Sequence, residues 1–250
     1  MRESWRWFGP KDPVTIDDIR QTDATDVVSA LHSVSTGELW TIEAIREHQA
    51  LIESAEPGAA SLLWTVVESI PVHEDIKLNR PGCQVYVDNW ITSMENLAEC
   101  GIKTICYNFM PVIDWTRTDL KFKLPSGAYS LRFDQQKFAA FDLFILQRAN
   151  ACHDYSVEEI SGARQAYELM SQAERQHLTK NIIAGLPGKM TNSYTIEDFR
   201  TMLANYSQTT ADILRIRLIS FLSKVLPRAE AFGVKLAIHP DDPPRDMLGL

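Results

Sequence analysis

Short apolar runs rich in β-branched residues recur along this chain, separated by stretches with a helical period. Asp26–His32, Leu62–Glu68, Ile102–Asn108 and Val234–Ile238 are the runs that predict strands. They need not alternate polar with apolar residues if both faces of a parallel sheet are covered. Between them, Val14–Arg20 predicts a short helix capped by Thr15. Thr41 caps a helix from Ile42 to about Ala55, with Ile45, Leu51 and Ile52 on its buried side. A further helix from about Val85 to Cys100 stops at Gly101, a residue suited to the left-handed turn that ends helices. Strand and helix in alternation imply a parallel sheet with right-handed crossovers, wound as a barrel or left open.

The rhythm breaks after the third run. Leu120–Leu124 and Tyr129–Phe133 flank Pro125-Ser126-Gly127-Ala128 and predict a β-hairpin. Helical patterns follow over 136–149, 156–171, 172–183 and 195–206, with breaks at Asn150–Asp154 and Gly185–Gly188. A long helix from Thr210 to Phe232 leads to the fourth strand. Residues 119–207 therefore form a hairpin and helical insertion, the kind of segment that serves as a lid or partner surface. The opening Trp5-Arg6-Trp7-Phe8-Gly9-Pro10 is either a plug under the core or a loop over a pocket with Arg6 aimed at an anion.

Composition narrows the picture. The chain has 250 residues, 45% hydrophobic and 23% charged, as expected of a globular protein with a large core. A net charge of −8 argues against nucleic acid or an anionic membrane as partner, though not against a small anionic substrate. Cys83, Cys100, Cys106 and Cys152 lack C-x-x-C spacing, and the N-terminus lacks an apolar signal core. A cytoplasmic protein with reduced thiols is expected, Cys100 and Cys106 in the core. No phosphate loop, nucleophile elbow or internal repeat is present. A (β/α)₈ barrel takes about 250 residues for eight strands, whereas four are read here, so half a barrel would leave unpaired strand edges.

The sharpest candidate for chemistry is His239, placed where the fourth strand meets Pro240-Asp241-Asp242-Pro243-Pro244. Side chains at the C-terminal ends of barrel strands point into the mouth, and a neutral imidazole there is a natural metal ligand. The same position also suits a histidine merely satisfied at a strand end.

Several stretches together carry a resemblance. Trp5–Pro10 with Asp12-Pro13-Val14, Val67–Lys77, Cys106–Leu120, Asn181–Gly188 and His239–Pro244 resemble mannonate dehydratases, in order from residue 1 to 250. The resemblance implies a (β/α)₈ TIM barrel of the xylose-isomerase-like type, of which this chain carries about the first four β/α units. It also implies Mn²⁺ or Fe²⁺, D-mannonate as substrate, 2-dehydro-3-deoxy-D-gluconate as product, hexuronate breakdown as setting, and a homo-oligomer. His239 corresponds to a family metal ligand. The remaining ligands (a cysteine, a histidine and an aspartate) and the catalytic histidine and tyrosine are expected downstream of Leu250.

Strand-end placement then nominates Arg6, His73, Glu74, Asn108 and Arg117 as substrate contacts, an Arg–carboxylate fork being an economical way to orient an aldonate. Each has a plainer alternative. His73-Glu74-Asp75 suits a solvated turn, and Arg117 suits a loop staple to Asp114 or Asp119. Asp241 and Asp242 are expected to orient His239 or to stiffen its loop. The rival to the dehydratase is a catalytically silent partial barrel that self-associates or binds a sugar acid; another sugar isomerase or epimerase on the same barrel is a third reading.

Overall fold

The computed structural model describes residues 2–113, 115–183 and 194–250. The N-terminal aromatic segment begins as a strand, β1 (Ser4–Arg6), and continues from Trp7 as a loop. It pairs in parallel with β2 (Asp26–Ser29), Arg6 lying opposite Val28. Its aromatics divide: Trp7 enters the core and donates Nε1–H to Val14 O at 3.1 Å, whereas Trp5 and Phe8 stay exposed. A strand this short has too few residues to show an alternating pattern.

Helix α1 (Ile16–Arg20) follows, with Thr15 accepting from the Asp18 N–H and Asp18 accepting in return from the Thr15 N–H. That reciprocal cap ties down the first turn of a helix too short to hold itself. Helix α2 (Ile42–Glu53) begins at the expected Thr41 cap. Its buried face is Ile45, His48 and Ile52, while Leu51, expected inside, is exposed. The spacings i, i+3 and i+7 share one face, and Leu51 falls about 100° away from Ile52. His48 takes the inner position instead.

Next come β3 (Leu63–Glu68), α3 (Glu74–Leu78), α4 (Gln84–Glu99) and β4 (Thr104–Tyr107). The expected hairpin is present as β5 (Asp119–Lys123) and β6 (Tyr129–Arg132), an antiparallel pair. Helix α5 (Gln135–Ala140) runs into a π-helical turn over Phe141–Leu146, and a 3₁₀ turn covers Ala151–Asp154. Helices α6 (Val157–Leu169), α7 (Gln172–Ile183), α8 (Ile196–Ala204) and α9 (Ala211–Phe232) lead to β7 (Lys235–Ile238). The expected break at Gly185–Gly188 lies outside the described residues.

Among the described residues the main sheet has five strands in the order β1-β2-β3-β4-β7, every neighbouring pair parallel. The expected parallel sheet is therefore present, with one strand more than the sequence predicts. Among the described residues β1 and β7 are its outer strands.

The chain divides into two compact units, Met1–Phe109 with Asp212–His239, and Met110–Ala211 with Pro240–Leu250. The first contains the five-stranded sheet, packed with Trp64, Trp90, Met94, Ile105 and Phe221. Trp90 meets Phe221 of α9 edge to face at 5.3 Å, which ties α4 to the helix preceding the last strand. The second unit contains the hairpin and α5–α8, and its buried aromatics include Phe138, Phe141 and Phe199.

Candidate active site

A parallel strand directs its last residues toward the loops that follow, so the C-terminal ends of β1, β2, β3, β4 and β7 collect polar side chains on one rim. Three of them meet. Arg6 closes β1, Glu68 closes β3, and His239 follows β7. Nη1 of Arg6 is ion-paired with Oε1 of Glu68. Nε2 of His239 lies 4.0 Å from that same oxygen. The backbone of His239 is fixed by extension of the sheet, its N–H donating to Tyr107 O at 2.8 Å. Cys106, opposite Glu68 in the β3–β4 register, is half-buried rather than part of the core, whereas Cys100, also half-buried, packs against the core. Burial first, and then the negative charge of Glu68, push the Cys106 thiol up, which keeps it protonated at neutral pH.

Around this group, Asn108 is buried just past β4. The guanidinium of Arg6 also packs over the Phe8 ring at 4.7 Å, while its Nε is buried without a hydrogen-bond partner. His32, past the end of β2, sits 5.8 Å from Phe8, and its Nε2 is likewise buried without a partner. Burial, and then the nearby Arg6 cation, lower its pKa and favour the neutral ring.

The other expected contacts have structural partners. His73 is the N-cap of α3, its Nδ1 accepting from the Asp75 N–H at 3.1 Å, and its ring stacks on Tyr86 at 3.7 Å. Burial lowers its pKa, so the neutral ring suits that acceptor role. Glu74 pairs at 2.6 Å with Lys77, whose side chain is 2% exposed. The segment is thus a capped helical turn with an ion pair buried at its lysine end, rather than the solvated turn offered as the plainer alternative. Arg117 lies in the second unit, where it donates to Asp242 Oδ2 at 2.6 Å and to Thr116 O at 2.8 Å. It is a loop staple, though not to the expected Asp119, and the alternative partner Asp114 lies outside the described residues. Asp242, expected to orient His239, spends a carboxylate oxygen on Arg117.

Glu68 and His32 escaped the sequence reading. Glu68 was accessible to the strand-end argument that singled out His239, since an apolar run there also ends in an ionisable residue. His32 occupies the same place after β2.

Comparison with known proteins decides the family. The family model described as D-mannonate dehydratase (UxuA) matches residues 1–250. The chain belongs to the D-mannonate dehydratase family. A mannonate dehydratase from Marinomonas sp. (strain MWYL1) is 53% identical over 250 residues, 100% of this chain and 62% of that protein. The mannonate dehydratase of Chromohalobacter salexigens is 51% identical over the same span, again 62% of its length. The crystal structure of mannonate dehydratase from Streptococcus suis serotype 2 superposes with a TM-score of 0.68 at 33% identity, covering 100% of this chain and 56% of that one. The α/β fold with its parallel sheet is therefore that of the family, and the chain spans 62% of the length of these curated relatives.

Proposed function

We propose that this chain carries the N-terminal part of a mannonate dehydratase, a hydro-lyase converting D-mannonate to 2-dehydro-3-deoxy-D-gluconate and water. The observation that carries this reading is the family match along all 250 residues. The proposal includes closure of the sheet into a xylose-isomerase-like TIM barrel, with 119–207 as an insertion. It extends to a cytoplasmic homo-oligomer acting in sugar-acid breakdown.

The reaction removes the proton on C2, next to the carboxylate, and expels the C3 hydroxyl with a proton as water; the resulting enol becomes the 2-keto acid. The C2 proton is weakly acidic, so the site must stabilise negative charge spreading onto the carboxylate. Arg6, at a strand end and ion-paired with Glu68, is the cation proposed for that task, Asn108 a neutral group for sugar hydroxyls, and His239, just past the opposite outer strand, a further polar group. His73, Glu74 and Arg117, already committed to a cap, an ion pair and a staple, are weaker candidates for substrate contact.

Mn²⁺ or Fe²⁺ would supply Lewis-acid charge when bound. Among the described residues, however, no group of three or more His, Cys, Asp or Glu could hold a metal ion. A catalytic centre generally needs about three protein ligands, and His239 offers one. The described residues thus do not by themselves build that centre; the second reading is a partial barrel that binds a sugar acid without turnover.

An anaerobic assay of the 2-keto product from D-mannonate with Mn²⁺, run beside a His239→Ala variant, separates the two readings. Turnover lost on substitution supports the dehydratase. Absence of turnover in the unsubstituted chain overturns independent activity.

A further inference from the structure

We propose that Glu68 is a positioning residue which sets the direction of both Arg6 and His239. Its purpose rests on the sugar-acid reading above, but its geometry does not. Glu68 ends β3, the middle strand of the sheet, while Arg6 ends one outer strand and His239 follows the other. Neighbouring strands lie about 4.8 Å apart, so each partner starts roughly 10 Å away across an intervening strand. Only side chains leaning inward over one face can meet across that gap. Both converge on a single atom, Oε1 of Glu68.

A carboxylate oxygen has lone pairs for two donors. The guanidinium takes one directly. At 4.0 Å the imidazole Nε2 is in electrostatic contact rather than hydrogen-bonded, and the negative charge favours the ring form that presents Nε2–H toward it. Cys106, beside Glu68 in the ladder, keeps its proton and adds no competing charge. The buried, unpartnered Nε of Arg6 makes the ion pair with Glu68 the compensation for its desolvation. Holding a cation and an imidazole in place before a ligand arrives lowers the cost of ordering them on binding.

Nitrogen-15 NMR of the arginine and histidine side chains tests this in the chain as it stands. The unsubstituted protein is expected to show separately resolved Arg6 Nη resonances, because the ion pair slows guanidinium rotation. It is also expected to show a proton on His239 Nε2, the nitrogen that faces Glu68. Glu68→Gln, isosteric but uncharged, is expected to collapse the Arg6 splitting and move the His239 ring signals toward those of a free imidazole, with the His48 ring in the core unmoved. Glu68→Asp, which keeps the charge but retracts it by one methylene, is expected to restore part of both signatures. Averaged Arg6 resonances, or a His239 Nε2 that carries no proton, in the unsubstituted chain overturn the proposal, even if Glu68→Gln does not fold. So does a folded Glu68→Gln in which either residue is unchanged. No sugar acid enters these measurements, so failure to turn over D-mannonate defeats the functional reading without touching this one.

Discussion

At the scale of single residues, the histidines show how one residue type is put to different uses by its surroundings. His48 is packed between the Trp7 ring, stacked at 5.4 Å, and the edge of Trp64 at 4.8 Å. Ser29 Oγ donates to Trp7 O at 2.7 Å, so it accepts from His48 Nε2–H at 2.9 Å, which fixes the tautomer of the neutral ring. Burial lowers its pKa from 6.5 to about 4. A folded-state value below the unfolded one means that stability is complete above the unfolded pKa. It is lost as pH falls from 6.5 toward 4, where the unfolded chain takes the proton and the folded one refuses it. The loss over that window is expected to be on the order of 3 kcal/mol. His32 and His73, also lowered, act with the same sign. Urea unfolding at pH 7 and pH 4.5 checks this, and His48→Gln is expected to remove much of the difference. None of it is legible from the sequence, where His48 is one polar residue inside an amphipathic helix. Glu68 differs: its place at the end of an apolar run is visible in the chain, but its contacts with Arg6 and His239 join residues far apart in sequence.

At the scale of elements, local chemistry was highly legible. Thr15 and Thr41 cap the helices they were expected to cap, Gly101 takes the positive φ that ends α4, and the hairpin closes around Gly127. These signals are confined to a few consecutive residues, which is why they survive without tertiary information. The turn after α5 was less legible. Asp142 is fully buried there, held by Arg148 at 2.9 and 2.7 Å and by the Tyr155 hydroxyl donating at 2.9 Å. Burial and the Asp142 charge together push the Tyr155 hydroxyl pKa up, so it stays a donor. Arg148→Ala strands a buried carboxylate and is expected to destabilise the protein by roughly 3–5 kcal/mol. Denaturant unfolding measures that, and a loss under 1 kcal/mol would mean that water replaces the guanidinium.

At the scale of the whole molecule, the number and order of strands decide what the chain can hold. Five parallel strands bring the His239 and His32 imidazoles and one ion pair to the rim, with no three-donor group among the described residues. The chain alone is therefore expected to retain no stoichiometric Mn²⁺ after desalting, measured by elemental analysis; retention of one equivalent would mean that ligands come from a second copy. The sequence by itself determined the alternating strand and helix order, the caps, the hairpin and the family, because each is written in contiguous residues or in long motifs. Tertiary structure alone decided that Ser4–Arg6 forms an outer strand, that His73 and Glu74 build a cap and an ion pair, and that Glu68 joins Arg6 to His239. Those outcomes depend on which strands become neighbours, and pairing across the sheet leaves no local mark on the chain that makes it.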